Sequence, residues 1–78
     1  MAFEDWQKSA DGNILTNPLM AYDTVTFPGH GILRIEYAET PQDVARGKGL
    51  HLQLGMTAAQ VRELGQALLR LADGIDRR

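Results

Sequence analysis

The feature that constrains this chain most is a stripe of apolar residues near its C-terminus. Steps of three, four, three and four residues separate Val61, Leu64, Leu68, Leu71 and Ile75. This spacing predicts an amphipathic helix with one apolar side. Thr57 precedes the stripe and suits the N-cap position, because its hydroxyl can accept a hydrogen bond from an early helix N–H. We therefore predict a helix over residues 57–75, which must bury its stripe against another part of the fold.

Three segments before the helix have the character of β-strands. Residues 20–27 are rich in β-branched and aromatic side chains. Residues 32–38 alternate between apolar and charged side chains, and residues 50–54 carry a leucine at every second position. Such alternation is typical of a half-buried antiparallel strand. Residues 28–31 predict a hairpin turn, because glycine tolerates the dihedral angles that turns require, and residues 39–49 predict a loop.

The predicted fold is α+β, a small antiparallel sheet of three to five strands packed on one C-terminal α-helix. With 78 residues the chain has room for a single domain, residues 1–78. The turn at Asp11-Gly12 separates an N-terminal arm, residues 1–12, from the sheet, residues 13–55. We expect the helix stripe to cover the leucines of the third strand together with Leu33 and Ile35. The opposite face of the sheet would then remain free.

Composition narrows the class of protein. The sequence contains no cysteine, which excludes disulfides and thiolate zinc sites. A net charge of −2 argues against direct nucleic-acid binding, which usually needs a basic patch. The N-terminus lacks the apolar core of a signal peptide, and no apolar run is long enough to span a bilayer. We predict a cytoplasmic protein without a membrane partner. A homodimer or another bound partner would add to the thin stability of so short a domain.

The sequence predicts no enzyme, no cofactor and no metal site. Ser9 lacks the sequence context of a hydrolase nucleophile, and Gly47-Lys48-Gly49 does not match a phosphate-binding loop. An alternative hypothesis is a metal-binding enzyme with His30 and His51 as ligands, but the spacing of these histidines matches no metal-binding motif. Arg46 and Lys48 would be the first contacts if the chain bound nucleic acid directly.

The remaining candidates form a protein-binding surface on the free sheet face and the arm. Aromatic and arginine side chains tend to carry interface energy. The predicted contacts are Phe3, Trp6, Tyr22, Thr24, Arg34, Glu36, His51 and Gln53. A second group is acidic and suits a basic partner. It comprises Glu4, Asp5, Asp11 and Asp23. These residues predict a small non-enzymatic regulator or inhibitor that acts by binding another protein or protein complex.

Several short motifs occur in an order that resembles the BssS family of small bacterial biofilm-formation regulators. The motifs are Asn17-Pro18-Leu19, Tyr22-Asp23-Thr24, Ile32-Leu33-Arg34-Ile35-Glu36-Tyr37, Leu52-Gln53-Leu54 and the helix that follows Thr57. The resemblance covers roughly residues 15–75, with loops of different length. Asn17 stands where that family has histidine. The resemblance implies a non-enzymatic regulator and assigns no catalytic residue.

The size and the acidic balance also resemble those of accessory proteins that phages carry against host defences. An alternative function is therefore an anti-CRISPR protein, which binds a host effector complex and blocks its nucleic-acid binding. In that case the acidic group would occupy a channel meant for phosphates.

Overall fold

The computed structural model describes residues 3–77, and the side chain of Phe3 lies outside what it describes. The three strands are β1 (Leu19–Phe27), β2 (His30–Tyr37) and β3 (Leu50–Met56). They form one antiparallel sheet in the order β1-β2-β3. The helices are a 3-10 turn, Phe3–Asp5, then α1, Pro41–Ala45, and α2, Ala58–Asp76. The predicted α+β class, a small antiparallel sheet with a C-terminal helix, is confirmed.

The turn between β1 and β2 is shorter than the sequence suggested. Pro28 and Gly29 alone connect the strands, and His30 already pairs with Phe27. Gly29 has φ 83°, which fits the third position of a type II turn with proline before it. The rings of Phe27 and His30 stack with their centroids 5.1 Å apart. This turn fixes the register of the whole β1–β2 hairpin.

The predicted loop over residues 39–49 contains the short helix α1. The Thr40 hydroxyl accepts a hydrogen bond from the Asp43 backbone N–H at 3.2 Å, and Pro41 occupies the first turn. Both residues are typical of a helix start, so the signal was present in the sequence. Gly47, with φ 67°, then reverses the chain toward β3.

Helix α2 begins where the sequence predicted. Thr57 and Gln60 form a reciprocal capping box. The Thr57 hydroxyl accepts from the Gln60 N–H at 3.2 Å, and the Gln60 side chain accepts from the Thr57 N–H at 3.0 Å. The cap follows β3 directly, so the helix starts at the same end of the sheet as the β1–β2 turn.

The register divides the sheet into two unlike faces. Residues opposite each other on antiparallel strands share a face. One face, the leucine face, carries no charged side chain. It comprises Tyr22, Thr24, Thr26, Leu33, Ile35, Tyr37, Leu50, Leu52, Leu54 and Met56. The other, the charged face, carries Asp23, Arg34, Glu36, His51 and Gln53.

The placement of Tyr22 and Thr24 on the free face was wrong. Tyr22 lies opposite Ile35, and Thr24 lies opposite Leu33, so both belong to the leucine face. The parity of the turn is the physical reason, because the observed two-residue turn and the predicted turn over residues 28–31 both pair even-numbered residues of β1 with odd-numbered residues of β2. A slip of one residue in the assumed register exchanges the faces of an entire strand.

The expectation that α2 covers the leucine face was also wrong. Only the first half of the helix lies near the sheet, where Val61, Leu64 and Leu68 line a groove of about 340 Å³ with Leu33 and Met56. The stripe residues beyond this groove and the leucines of β3 are exposed. Their exposed fractions are 60% for Leu71, 61% for Ile75, 46% for Leu50, 47% for Leu52 and 39% for Leu54. Among the described hydrophobic residues, Ala38 alone is fully buried.

Candidate interaction surfaces

The charged face presents polar side chains in rows across the three strands. Asp23, Arg34 and Gln53 form one row, and Glu36 and His51 belong to the next. All are exposed except Glu36, which is half-buried. β2 is the central strand and forms hydrogen bonds with a strand on each side. Arg34 and Glu36 therefore stand on a backbone that is fixed from both sides. The predicted contacts Arg34, Glu36, His51 and Gln53 therefore do lie together on one exposed face.

Glu36 and His51 approach each other at the end of this face far from the turn. The distance from His51 Nε2 to Glu36 Oε2 is 3.9 Å. Gly49 makes room for the carboxylate, because a Cβ at Gly49 would lie 2.5 Å from Glu36 Oε2. Sequence reasoning missed this role of Gly49, since the contact depends on the path of the loop after α1.

The arm folds into a small turn of its own. Lys8 and Ile14 form an isolated antiparallel bridge, and the Asp11 carboxylate accepts hydrogen bonds from the Ser9 hydroxyl and the Asn13 backbone N–H. The Ser9 hydroxyl and, next, the Asn13 N–H lower the pKa of Asp11 below its ordinary value of 3.8. Asp11 therefore stays charged at neutral pH. Any stability that this contact adds is lost only as the pH falls below that ordinary value.

The predicted arm and acidic residues are distributed over separate parts of the chain. Trp6 is 49% exposed, and Glu4 and Asp5 lie exposed in the 3-10 turn. Asp23 instead lies opposite Arg34 on the charged face, where its carboxylate accepts a hydrogen bond from the Thr24 N–H at 2.8 Å. Phe3, the remaining predicted contact, has its side chain outside the described residues. No described contact joins the acidic group into one surface, so the anti-CRISPR alternative stays a prediction.

The two histidines cannot share a metal ion. His30 begins β2, whereas His51 lies opposite Glu36, six residues further along that strand. At 3.3–3.4 Å per residue the two positions are about 20 Å apart. Within residues 3–77, no group of three or more His, Asp or Glu side chains is arranged to hold a metal. The alternative metal-binding interpretation is therefore not supported by geometry.

A cleft of about 560 Å³ lies between the end of β2, α1 and the start of β3. Lys48 lines it together with the carboxylates of Glu36, Glu39 and Asp43. A phosphate there would meet three negative charges beside one lysine. The cleft therefore does not favour the nucleic-acid alternative that invoked Lys48.

The leucine face is the surface that sequence reasoning missed, because the helix was expected to hide it. It carries no charged side chain, its β3 leucines are exposed, and it is continuous with the groove under α2. Comparison with protein-family models, curated proteins and solved structures gives no match. None of the helices described over residues 3–77 has the length and apolar character needed to cross a membrane.

Proposed function

We propose that this protein is a small non-enzymatic regulator or inhibitor of the cytoplasm, which binds another protein through its charged face. The proposal rests on the arrangement of polar side chains in rows across the strands of that face. Positive, negative and neutral hydrogen-bonding groups lie side by side on the central and edge strands, and most are exposed. The absence of cysteine from the sequence agrees with a reducing compartment.

The mixed charge of the face favours a protein as the partner. Arg34 lies between Asp23 and Gln53, and Glu36 lies beside His51. A phosphate backbone attracts a surface of one sign, whereas a protein interface matches alternating charges with charges of the opposite sign. Complementary charge of this kind fixes which partner is accepted and in which orientation. The resemblance to the BssS family supports the same class of function, a regulator without catalysis.

Exchanging the charges of Arg34 and Glu36 should abolish partner binding while leaving the fold intact. The double variant Arg34→Glu/Glu36→Arg keeps the net charge of the chain. At both positions, however, the partner meets a charge of the opposite sign to that of the wild type. We expect at least about a tenfold loss of captured partner, because like charges facing each other across an interface cost several kcal/mol. The measurement is affinity capture of the tagged full chain from the cells that naturally carry it, with quantitative mass spectrometry.

The matched control exchanges two charges on the outer side of α2, Glu63→Arg/Arg70→Glu, away from the apolar stripe. It should retain the captured partner, and circular dichroism should show the same helix content in both variants. Equal capture by all three proteins would remove the charged face from the proposal. A wild-type protein that captures no partner at stoichiometric level would remove the function itself.

A further inference from the structure

The chain alone exposes far more surface than a compact protein of its size. A folded monomer of 8.6 kDa exposes roughly 4,700 Å², whereas this chain exposes 6834 Å². Its radius of gyration is 15.0 Å, compared with about 11.5 Å for a compact domain of 78 residues. The excess surface, about 2,100 Å² on this scaling, needs a physical explanation.

Among the described residues, the leucine face and the helix stripe together carry eight of the fifteen exposed large hydrophobic side chains. Leu50, Leu52 and Leu54 on the sheet, with Leu71 and Ile75 on the helix, are all at least 39% exposed. No charged side chain interrupts the leucine face. Contiguous apolar surface on this scale marks an interface in soluble proteins.

We infer that a second copy of this chain covers the leucine face and the helix stripe, so that the folded unit is a homodimer. The excess of about 2,100 Å² on each of two chains matches the 2,000–5,000 Å² in total that obligate homodimers bury. A smaller, transient partner would leave most of this surface in water. The match in area therefore favours a permanent partner over a transient one.

The shape of the chain also suits a copy of itself. The second half of the stripe, Leu71 and Ile75, runs beyond the groove that its own first half forms with the sheet. The steps of three and four residues along the whole stripe are the heptad spacing with which helices pack on one another. Ala72 flanks the second half of the stripe, and its small side chain permits close approach. In a two-fold arrangement, the second half of the stripe of each chain packs on the exposed leucine face of the other chain.

The arrangement leaves both charged faces on the outside of the dimer. Arg34 and Glu36 point away from the leucine face on each chain. The inference is therefore independent of the proposed function, and purified protein without any partner is sufficient to test it.

Sedimentation equilibrium of the purified full chain at micromolar concentration gives the direct test. We expect a mass of twice 8.6 kDa for the wild type. Leu71→Glu should raise the dimer dissociation constant at least about a hundredfold, because it places a charge in each copy of a desolvated apolar contact. Where the separated chain does not fold alone, the same variant should instead be unfolded at concentrations at which the wild type is folded.

Leu69→Glu is the matched control. Leu69 is 68% exposed, slightly more than Leu71, but it lies about 120° around the helix from the middle of the stripe. This variant should remain a folded dimer. A monomeric, cooperatively folded wild type would overturn the inference. So would a Leu71→Glu protein that stays as dimeric as Leu69→Glu.

Discussion

Ile35→Asp is expected to leave the chain unfolded at 25 °C, whereas Arg34→Asp on the same strand is expected to fold. Ile35 is half-buried on the central strand between Tyr22 and Leu52. A carboxylate there would enter an uncharged surface, at a cost of several kcal/mol. That cost is comparable to the whole stability of about 5–15 kcal/mol that a domain has.

Arg34 points to the opposite face, so the same new carboxylate would remain in water. Its cost is the like-charge pair with Asp23 across the strands, about 0.2–1 kcal/mol. Far-ultraviolet circular dichroism and guanidinium unfolding would measure both variants. A stable Ile35→Asp protein beside an unfolded Arg34→Asp protein would mean that the two faces of β2 are assigned in reverse.

Leu64→Ala is expected to lower the free energy of unfolding by about 2–4 kcal/mol. Leu64 is half-buried in the groove under α2, where it faces Leu33 and Met56. The substitution removes apolar contact and leaves a cavity in a groove where α2 and the sheet meet. Leu69→Ala should change stability by less than about 0.5 kcal/mol, because Leu69 is an exposed helix residue outside the stripe.

Denaturant midpoints at one fixed protein concentration would measure the pair of alanine variants. No loss at either Leu64 or Leu69 would show that the helix is held by its own propensity rather than by the groove, because alanine forms helices at least as well as leucine. A large loss at Leu69 alone would place the packed side of the helix elsewhere.

The elements of this fold could be predicted from local signals. Each signal lies within a few residues of the element that it predicts. The signals are the Thr57 cap with the apolar stripe, the alternation around Ile35 and the leucines of β3. The helix α1 was not predicted, although Thr40 and Pro41 are typical of a helix start. The glycines and charged residues near it were interpreted as a loop. Local chemistry therefore accounts for the helices and strands and for their order.

The relation between elements could not be predicted in the same way. The face of Tyr22 is the exception, because the predicted turn over residues 28–31 and the observed turn both have an even length, which places Tyr22 and Thr24 with the odd-numbered apolar residues of β2. Whether the stripe covers the sheet depends on the angle at which α2 leaves Thr57. This angle has no signature in the pattern of apolar residues, so the exposure of the β3 leucines was not predicted. The charged residues of the candidate site were found, because the alternation within β2 and β3 is local.

Guanidinium unfolding of the wild type at two protein concentrations that differ about a hundredfold tests whether the folded unit is a homodimer. If a second copy completes the core, dissociation accompanies unfolding, and the midpoint should rise by about 0.5–1 M at the higher concentration. A midpoint that is the same at both concentrations would mean that one chain is stable with its leucine face in water and that no homodimer forms.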